Sequence, residues 1–138
     1  LANILATLNS NFNVVNYSNK YNSYINKKTE ILHKLTFSVD SKGLFGQKLV
    51  EVLNEKGYKI SPNSNIKIKI KKQVRNSVTY GMQIARVTVN IQVVANNKVL
   101  NSNSIEVKGV SNTQQQALAK AANNFKKKIV EKGINKLL

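Results

Sequence analysis

The chain has 138 residues and a mass of 15.4 kDa, with 22 Lys and Arg against 6 Asp and Glu, a formal net charge of +16 and a pI near 10.2. With 41% apolar residues it can fill one core, which argues against disorder throughout, and its lack of cysteine excludes disulfides, zinc ribbons, iron–sulfur ligation and thiol catalysis. The positive balance points to an anionic partner: nucleic acid, lipid headgroups, lipopolysaccharide or an acidic protein. Only Arg75 and Arg86 carry the guanidinium fork that reads guanine or phosphate in bidentate fashion, so the attraction is expected to be diffuse. Lys, Asn and Ile are also the residues of AT-rich codons, which explains part of the lysine count but not the scarcity of acids.

No apolar run approaches the roughly 18 residues of a membrane span, and no basic-then-apolar leader opens the chain, so the piece is expected to be soluble. It opens at Leu1 rather than Met, which leaves a signal peptide or a lipid-bearing Cys to be sought upstream. A single domain over 1–138 is expected, with 1–34 as an N-terminal segment of mixed signals and 35–138 as the core.

In the first part, Leu1, Ile4, Leu5 and Leu8 recur at helical spacing, and Phe12, Val14, Val15 and Tyr17 read as a short strand. Ile25, Thr29 and Leu32 form either the stripe of a second helix or an irregular connection. From Leu35 the pattern sharpens. Leu35, Phe37 and Val39 alternate with Thr36 and Ser38 as in a half-buried strand, and Asp40 and Ser41 supply helix-start chemistry. Residues 42–56 then predict an amphipathic helix with Phe45, Leu49, Val52 and Leu53 on one face, ended by Gly57 as a left-handed cap.

After Ser61, Pro62 and Asn63, the alternation of Ile66, Ile68 and Ile70 with Lys67, Lys69 and Lys71 predicts a strand with one apolar and one lysine face. A long central strand follows, with Ala85, Val87, Val89, Ile91 and Val93 facing one way and Arg86, Thr88, Asn90 and Gln92 the other. Asn96 and Asn97 predict a tight hairpin into a further strand ending near Lys108. Ser111 and Gln114 read as a capping box opening a final helix with Leu118, Ala122, Phe125, Ile129 and Val130 as its stripe. Gly133 interrupts it before the apolar tail of Ile134, Leu137 and Leu138. The expected fold is α+β: two layers, a largely antiparallel sheet of about four or five strands, and two main helices on one face.

Catalytic chemistry is thinly supplied. His33 is the only histidine and Asp40 the only aspartate, and Glu51 and Glu55, although spaced i, i+4, fall on an expected solvated face. Gly43 and Gly46 open a helix without either phosphate-loop spacing, so they are read as packing glycines. No metal, cofactor or catalytic residue is expected. The candidate contact residues are Lys67, Lys69, Lys71 and Lys72, read as four cations along one strand face. They are equally explained as a binding ribbon or as edge protection against aggregation. Tyr17, Tyr21 and Tyr24 with Lys27 and Lys28 are a secondary cluster, since aromatics among lysines can stack bases or grip headgroups, or merely pack with their hydroxyls in water. Lys126, Lys127 and Lys128 are read as the solvated back of the last helix.

The order of elements carries two resemblances. Helix, three-strand meander and helix resembles a double-stranded-RNA-binding domain, which implies a nucleic-acid-binding module. The chain departs from that family where Asn112, Thr113, Gln114, Gln115 and Gln116 replace its lysine-rich final helix start, and where its Gly-Pro-x-His loop is missing. The second resemblance covers roughly 35–138. It rests on Leu49 to Leu53, Gly57-Tyr58-Lys59-Ile60, the Ile66 to Ile70 run, the Val87 to Val93 strand and Gly109-Val110-Ser111 leading into Ala117, Ala121 and Ala122. In these the chain resembles the periplasmic domains of small bacterial envelope lipoproteins, of the flagellum-associated outer-membrane and lipopolysaccharide-transport types. That likeness implies a non-enzymatic, exported binding or assembly factor of the periplasm or outer membrane, tethered by an N-terminal lipid and engaging an anionic or protein partner. The lipid-bearing Cys of that pattern is not in the sequence.

Overall fold

The computed structural model describes residues 14–40 and 42–138, and it divides the chain into two compact units, Leu1–Leu35 and Thr36–Leu138. The described residues of the first unit form a 21-residue helix, α1 (Val14–Lys34). Val14, Val15 and Tyr17 therefore lie in a helix and not in the expected strand, because no Gly or Pro interrupts a stretch whose larger residues recur every three to four positions. A two-residue alternation over six positions was too short a window to reveal that period. Thr29 lies inside α1 and donates its hydroxyl to the Ile25 carbonyl at 3.1 Å, four residues back. The helix expected over Leu1 to Leu8, the residue Phe12 and the helix-start Ser41 lie outside the described residues.

In the second unit the order is β1 (Thr36–Val39), α2 (Leu44–Glu55), β2 (Lys59–Ile60), β3 (Ile66–Thr79), β4 (Met82–Ala95), β5 (Lys98–Ser111), α3 (Gln114–Lys132) and α4 (Ile134–Leu137). The strands form one sheet in the order β2-β1-β3-β4-β5. β1 runs parallel to β2 and β3, while β3, β4 and β5 form an antiparallel meander. This is the expected α+β architecture. The two-residue β2 is an addition to the expectation, too short to announce itself by alternation. Among the described residues no helix is long and apolar enough to cross a membrane.

The core lies between the sheet and the two main helices. Phe45, Leu49, Val52 and Leu53 of α2 are buried as expected. The helix starts two residues later than expected, at Leu44, with Gly43 as its N-cap, and Asp40 instead accepts the Lys42 N–H in the turn before it. It ends in a Schellman motif. The Tyr58 N–H bonds to the Leu53 carbonyl and the Gly57 N–H to the Asn54 carbonyl, with Gly57 at φ +82°. Ala85, Val87, Val89, Ile91 and Val93 of β4 are buried from below, and the Asn96–Asn97 hairpin has both residues at positive φ, the geometry of a type I′ turn.

Two features of α3 differ from expectation. Its N-cap is Thr113, whose hydroxyl oxygen accepts the Gln116 N–H at 3.2 Å. Ser111 is still paired with Gln83 in the sheet, and its hydroxyl bonds to the Gln116 Oε1. A backbone already committed to a strand ladder cannot also cap a helix. The buried stripe is Ala117, Ala121, Ala122, Phe125 and Ile129, with Val130 44% exposed, so the helix is rotated from the expected stripe. The rotation lets backbone meet backbone: a Cβ placed on Gly109 of β5 would lie 1.9 Å from the Ala117 carbonyl oxygen. Toward its other end α3 is held off by larger groups, with Phe125 meeting Phe45 edge to face at 5.4 Å between centroids. After Gly133 the short α4 buries Ile134 and Leu137, and Asn135 takes the Tyr58 hydroxyl.

Candidate functional site

Strand alternation sends one set of side chains into the core and the other onto a face that neither main helix covers. On β3 that outer set is Lys67, Lys69, Lys71, Gln73 and Arg75, and the register extends it to Gln92, Asn90, Thr88 and Arg86 of β4 and to Ser102, Ser104, Glu106 and Lys108 of β5. The result is a polar, basic sheet surface with Glu106 as its one acid.

Lys67, Lys69 and Lys71 are all exposed and follow one another at two-residue steps of about 7 Å, inside the Debye length of about 8 Å at physiological salt, so their potentials add. Lys72 does not join them. It lies on the opposite face, its Nζ 5.6 Å from the centroid of the Phe45 ring, because consecutive residues of a strand point to opposite sides. The expected row of four is therefore a row of three.

A second row crosses the first. Arg75 stands opposite Arg86 on β4, and Arg86 stands opposite Lys108 on β5, giving three cations abreast on neighbouring strands. Like charges directly opposite in a sheet repel, and a bound anion would relieve them. This row was absent from the site expected from sequence, although its signal was present: the odd-position alternation from Lys67 continues without a break to Arg75.

The tyrosine cluster belongs to α1. Positions 17, 21, 24 and 28 fall along one side of that helix and position 27 on the adjoining row, so Tyr21, Tyr24 and Lys28, all half-exposed, share a side. His33 also falls within α1.

Two acids lie on α2 and not on the open face. Glu51 and Glu55 of α2, expected to be solvated, converge on Lys126 of α3 at 3.1 and 2.8 Å, with Lys48 3.5 Å from Glu51. The Lys126 hydrogen bond, helped by Lys48, holds the Glu51 carboxyl below its ordinary range, and Glu55 and then Glu51 hold the Lys126 ammonium above its own. Burial raises the Tyr58 hydroxyl. Lys128 is exposed as expected and also donates to the Glu106 carbonyl at 2.6 Å. Among the described residues, no three His, Cys, Asp or Glu side chains gather as a metal site.

No protein-family model and no curated protein matches the chain. Solved structures do. A minor lipoprotein from Acinetobacter baumannii is 14% identical, with a TM-score of 0.55 over 71% of this chain and 87% of that one. A Caulobacter crescentus CB15 protein described as a lipoprotein is 16% identical, with a TM-score of 0.49 over 77% and 91%. The rare lipoprotein B from Shewanella oneidensis is 16% identical, with a TM-score of 0.43 over 73% and 96%. The Acinetobacter likeness shows a shared fold: the α+β sheet-and-helix architecture described above is also that of a bacterial lipoprotein.

Proposed function

We propose that the chain is the non-catalytic domain of an exported, lipid-anchored bacterial envelope protein, which engages an anionic partner through its open basic sheet face. The observation that carries the binding reading is the crossing of two cation rows, Lys67–Lys69–Lys71 along β3 and Arg75–Arg86–Lys108 across three strands, on a face that no main helix covers. The envelope reading is supported by the sequence resemblance to small envelope lipoproteins, and the fold shared with the Acinetobacter lipoprotein agrees with it. The nucleic-acid alternative is less well served, because the double-stranded-RNA-binding pattern calls for a basic final helix start. Here that start is Gln114, Gln115 and Gln116, and the lysines of α3 come only from Lys120 onward.

The test replaces Lys67, Lys69 and Lys71 together by Gln and measures binding to phosphatidylcholine vesicles containing anionic phosphatidylglycerol, with duplex RNA and heparin as competitors. Each cation near an anionic surface contributes about 1 kcal/mol, so the triple variant binds roughly a hundredfold more weakly, with a shallower salt dependence and an unchanged unfolding midpoint. Equal binding by both proteins at every salt concentration removes this face from the account. Duplex RNA bound at physiological salt in preference to heparin replaces the envelope reading with the nucleic-acid one.

A further inference from the structure

The two long sides of the sheet end differently. On the β5 side, the outward carbonyls of Glu106 and Lys108 are occupied by α3, through Lys128 Nζ at 2.6 Å and Asn124 Nδ2 at 2.7 Å. On the other side, β3 pairs with β1 only at Lys67 and Ile68, and among the described residues no strand runs beside β3 beyond Ile68. Which backbone groups this leaves free follows from the ladder. The Asp40 N–H donates to the Ile68 carbonyl on the β1 side. Backbone groups in an antiparallel pair alternate between the two sides residue by residue, so Ile70, Lys72, Val74, Asn76 and Val78 direct N–H and C=O away from β4. The register between β3 and β4 runs unbroken from Ile66↔Ala95 to Thr79↔Met82, and no proline lies in either strand.

A straight, unblocked edge of this length is a template for one more strand. Its side chains specify which. One face of the edge carries Lys69, Lys71 and Arg75; the other carries Ile70, Val74 and Val78, the last 60% exposed, with Lys72 and Asn76 between them, and the hairpin tip presents Tyr80 fully to solvent. No Asp or Glu occurs from Lys56 through Ile105, a span with nine Lys and Arg. A second copy laid on this edge would set one cation row against another about 5 Å away, which repels. A strand with acids at alternate positions meets the same row as a partner.

We propose that the free edge of β3, from Ile70 to Val78, takes up an extended acidic segment of another protein by strand addition. Alternate carboxylates of that segment sit over Lys69, Lys71 and Arg75, and its intervening apolar side chains pack against Ile70, Val74 and Val78. The inference shares Lys69, Lys71 and Arg75 with the proposed function and adds the backbone of the edge, so loss of the edge hydrogen bonds overturns the inference alone and leaves the proposed function standing.

The test uses the whole chain and a blocked peptide of about nine residues alternating Glu and Val, read by fluorescence anisotropy and amide hydrogen exchange at physiological salt. The peptide binds and slows exchange at Ile70, Lys72, Val74, Asn76 and Val78, while a version with Lys in place of Glu does not bind. N-methylating the alternate amides on one edge of the peptide keeps its charge but removes its donors, and in one of the two alternate sets this weakens binding about tenfold or more. In the chain, Val74→Pro removes one edge-facing N–H without touching the β4 ladder and weakens binding by a similar factor; should that variant not fold, the peptide series decides. Undiminished binding by both N-methylated peptides would reduce the effect to charge attraction and overturn the proposal. So would unprotected edge amides in the bound state. Protection that rises with protein concentration without peptide would also overturn it, by making a second copy the occupant.

Discussion

Replacing Gly109 by Ala probes the tightest contact in the fold. The added Cβ would stand 1.9 Å from the Ala117 carbonyl oxygen and 2.5 Å from the Ala121 nitrogen, and both are backbone atoms of α3 that cannot swing aside as a side-chain end would. To bring even the closest contact to a tolerable distance, the helix must lift by roughly 1 Å. That lift loosens Ala117, Ala121, Phe125 and Ile129 against the sheet together, and a radial gap of this size forfeits about a quarter to a half of each contact's dispersion energy. Overpacking a core costs about 1–3 kcal/mol, and with backbone on both sides the upper end applies, so about 3 kcal/mol is expected. For a unit of this size that corresponds to roughly 12–24 °C in Tm. Far-UV circular dichroism during thermal and urea unfolding measures it, with the m-value unchanged. Gly81→Ala is the control: at the hairpin tip nothing lies within 4 Å of the added Cβ, and only the cost of φ +76° remains, about 1–2 kcal/mol. A loss below about 0.5 kcal/mol in Gly109→Ala would refute the close approach of α3 to β5.

Other outcomes follow from the caps and the ion pairs. Thr113→Ala removes the acceptor for the Gln116 N–H and is expected to cost about 1 kcal/mol, whereas Ser111→Ala leaves the cap in place and costs less, as urea unfolding of the two variants would show. Lys126→Gln changes the pH dependence of stability. Because Lys126 lowers the Glu51 carboxyl in the folded state, its contribution is complete above the ordinary carboxylate range near pH 4.5 and fades as pH falls through the folded value. The wild type therefore loses more stability than Lys126→Gln between about pH 5 and pH 3, by a margin that shrinks in high salt because the pair is exposed. Identical acid profiles for the two proteins would remove the bridge from the account.

The parts of the fold that sequence made legible are those whose burial is one-sided. The α2 stripe of Phe45, Leu49, Val52 and Leu53 and the five inward residues of β4 each repeat with a single period, and Asn96–Asn97 is a turn with its own chemistry. The distal half of β3 was not legible, because residues 71–79 are exposed on both faces and no burial pattern is written there. Its turn was equally silent, since Tyr80 takes a positive φ usually left to Gly or Asn. Lys71 and Lys72 hid the alternation by being the same residue on opposite faces. The Lys126 bridge joins residues more than 70 positions apart, and the row Arg75–Arg86–Lys108 exists only once three strands are in register. The face expected to bind was thus half visible: Lys67, Lys69 and Lys71 could be read from one strand, and the cations that cross them could not.

Whether the proposed export and lipid anchoring hold is decided by the intact mass and location of the native protein after fractionation of its cells. The expected result is a membrane-fraction protein whose mass includes acyl chains on a Cys preceding Leu1. A soluble cytosolic protein with an unprocessed Met would contradict it.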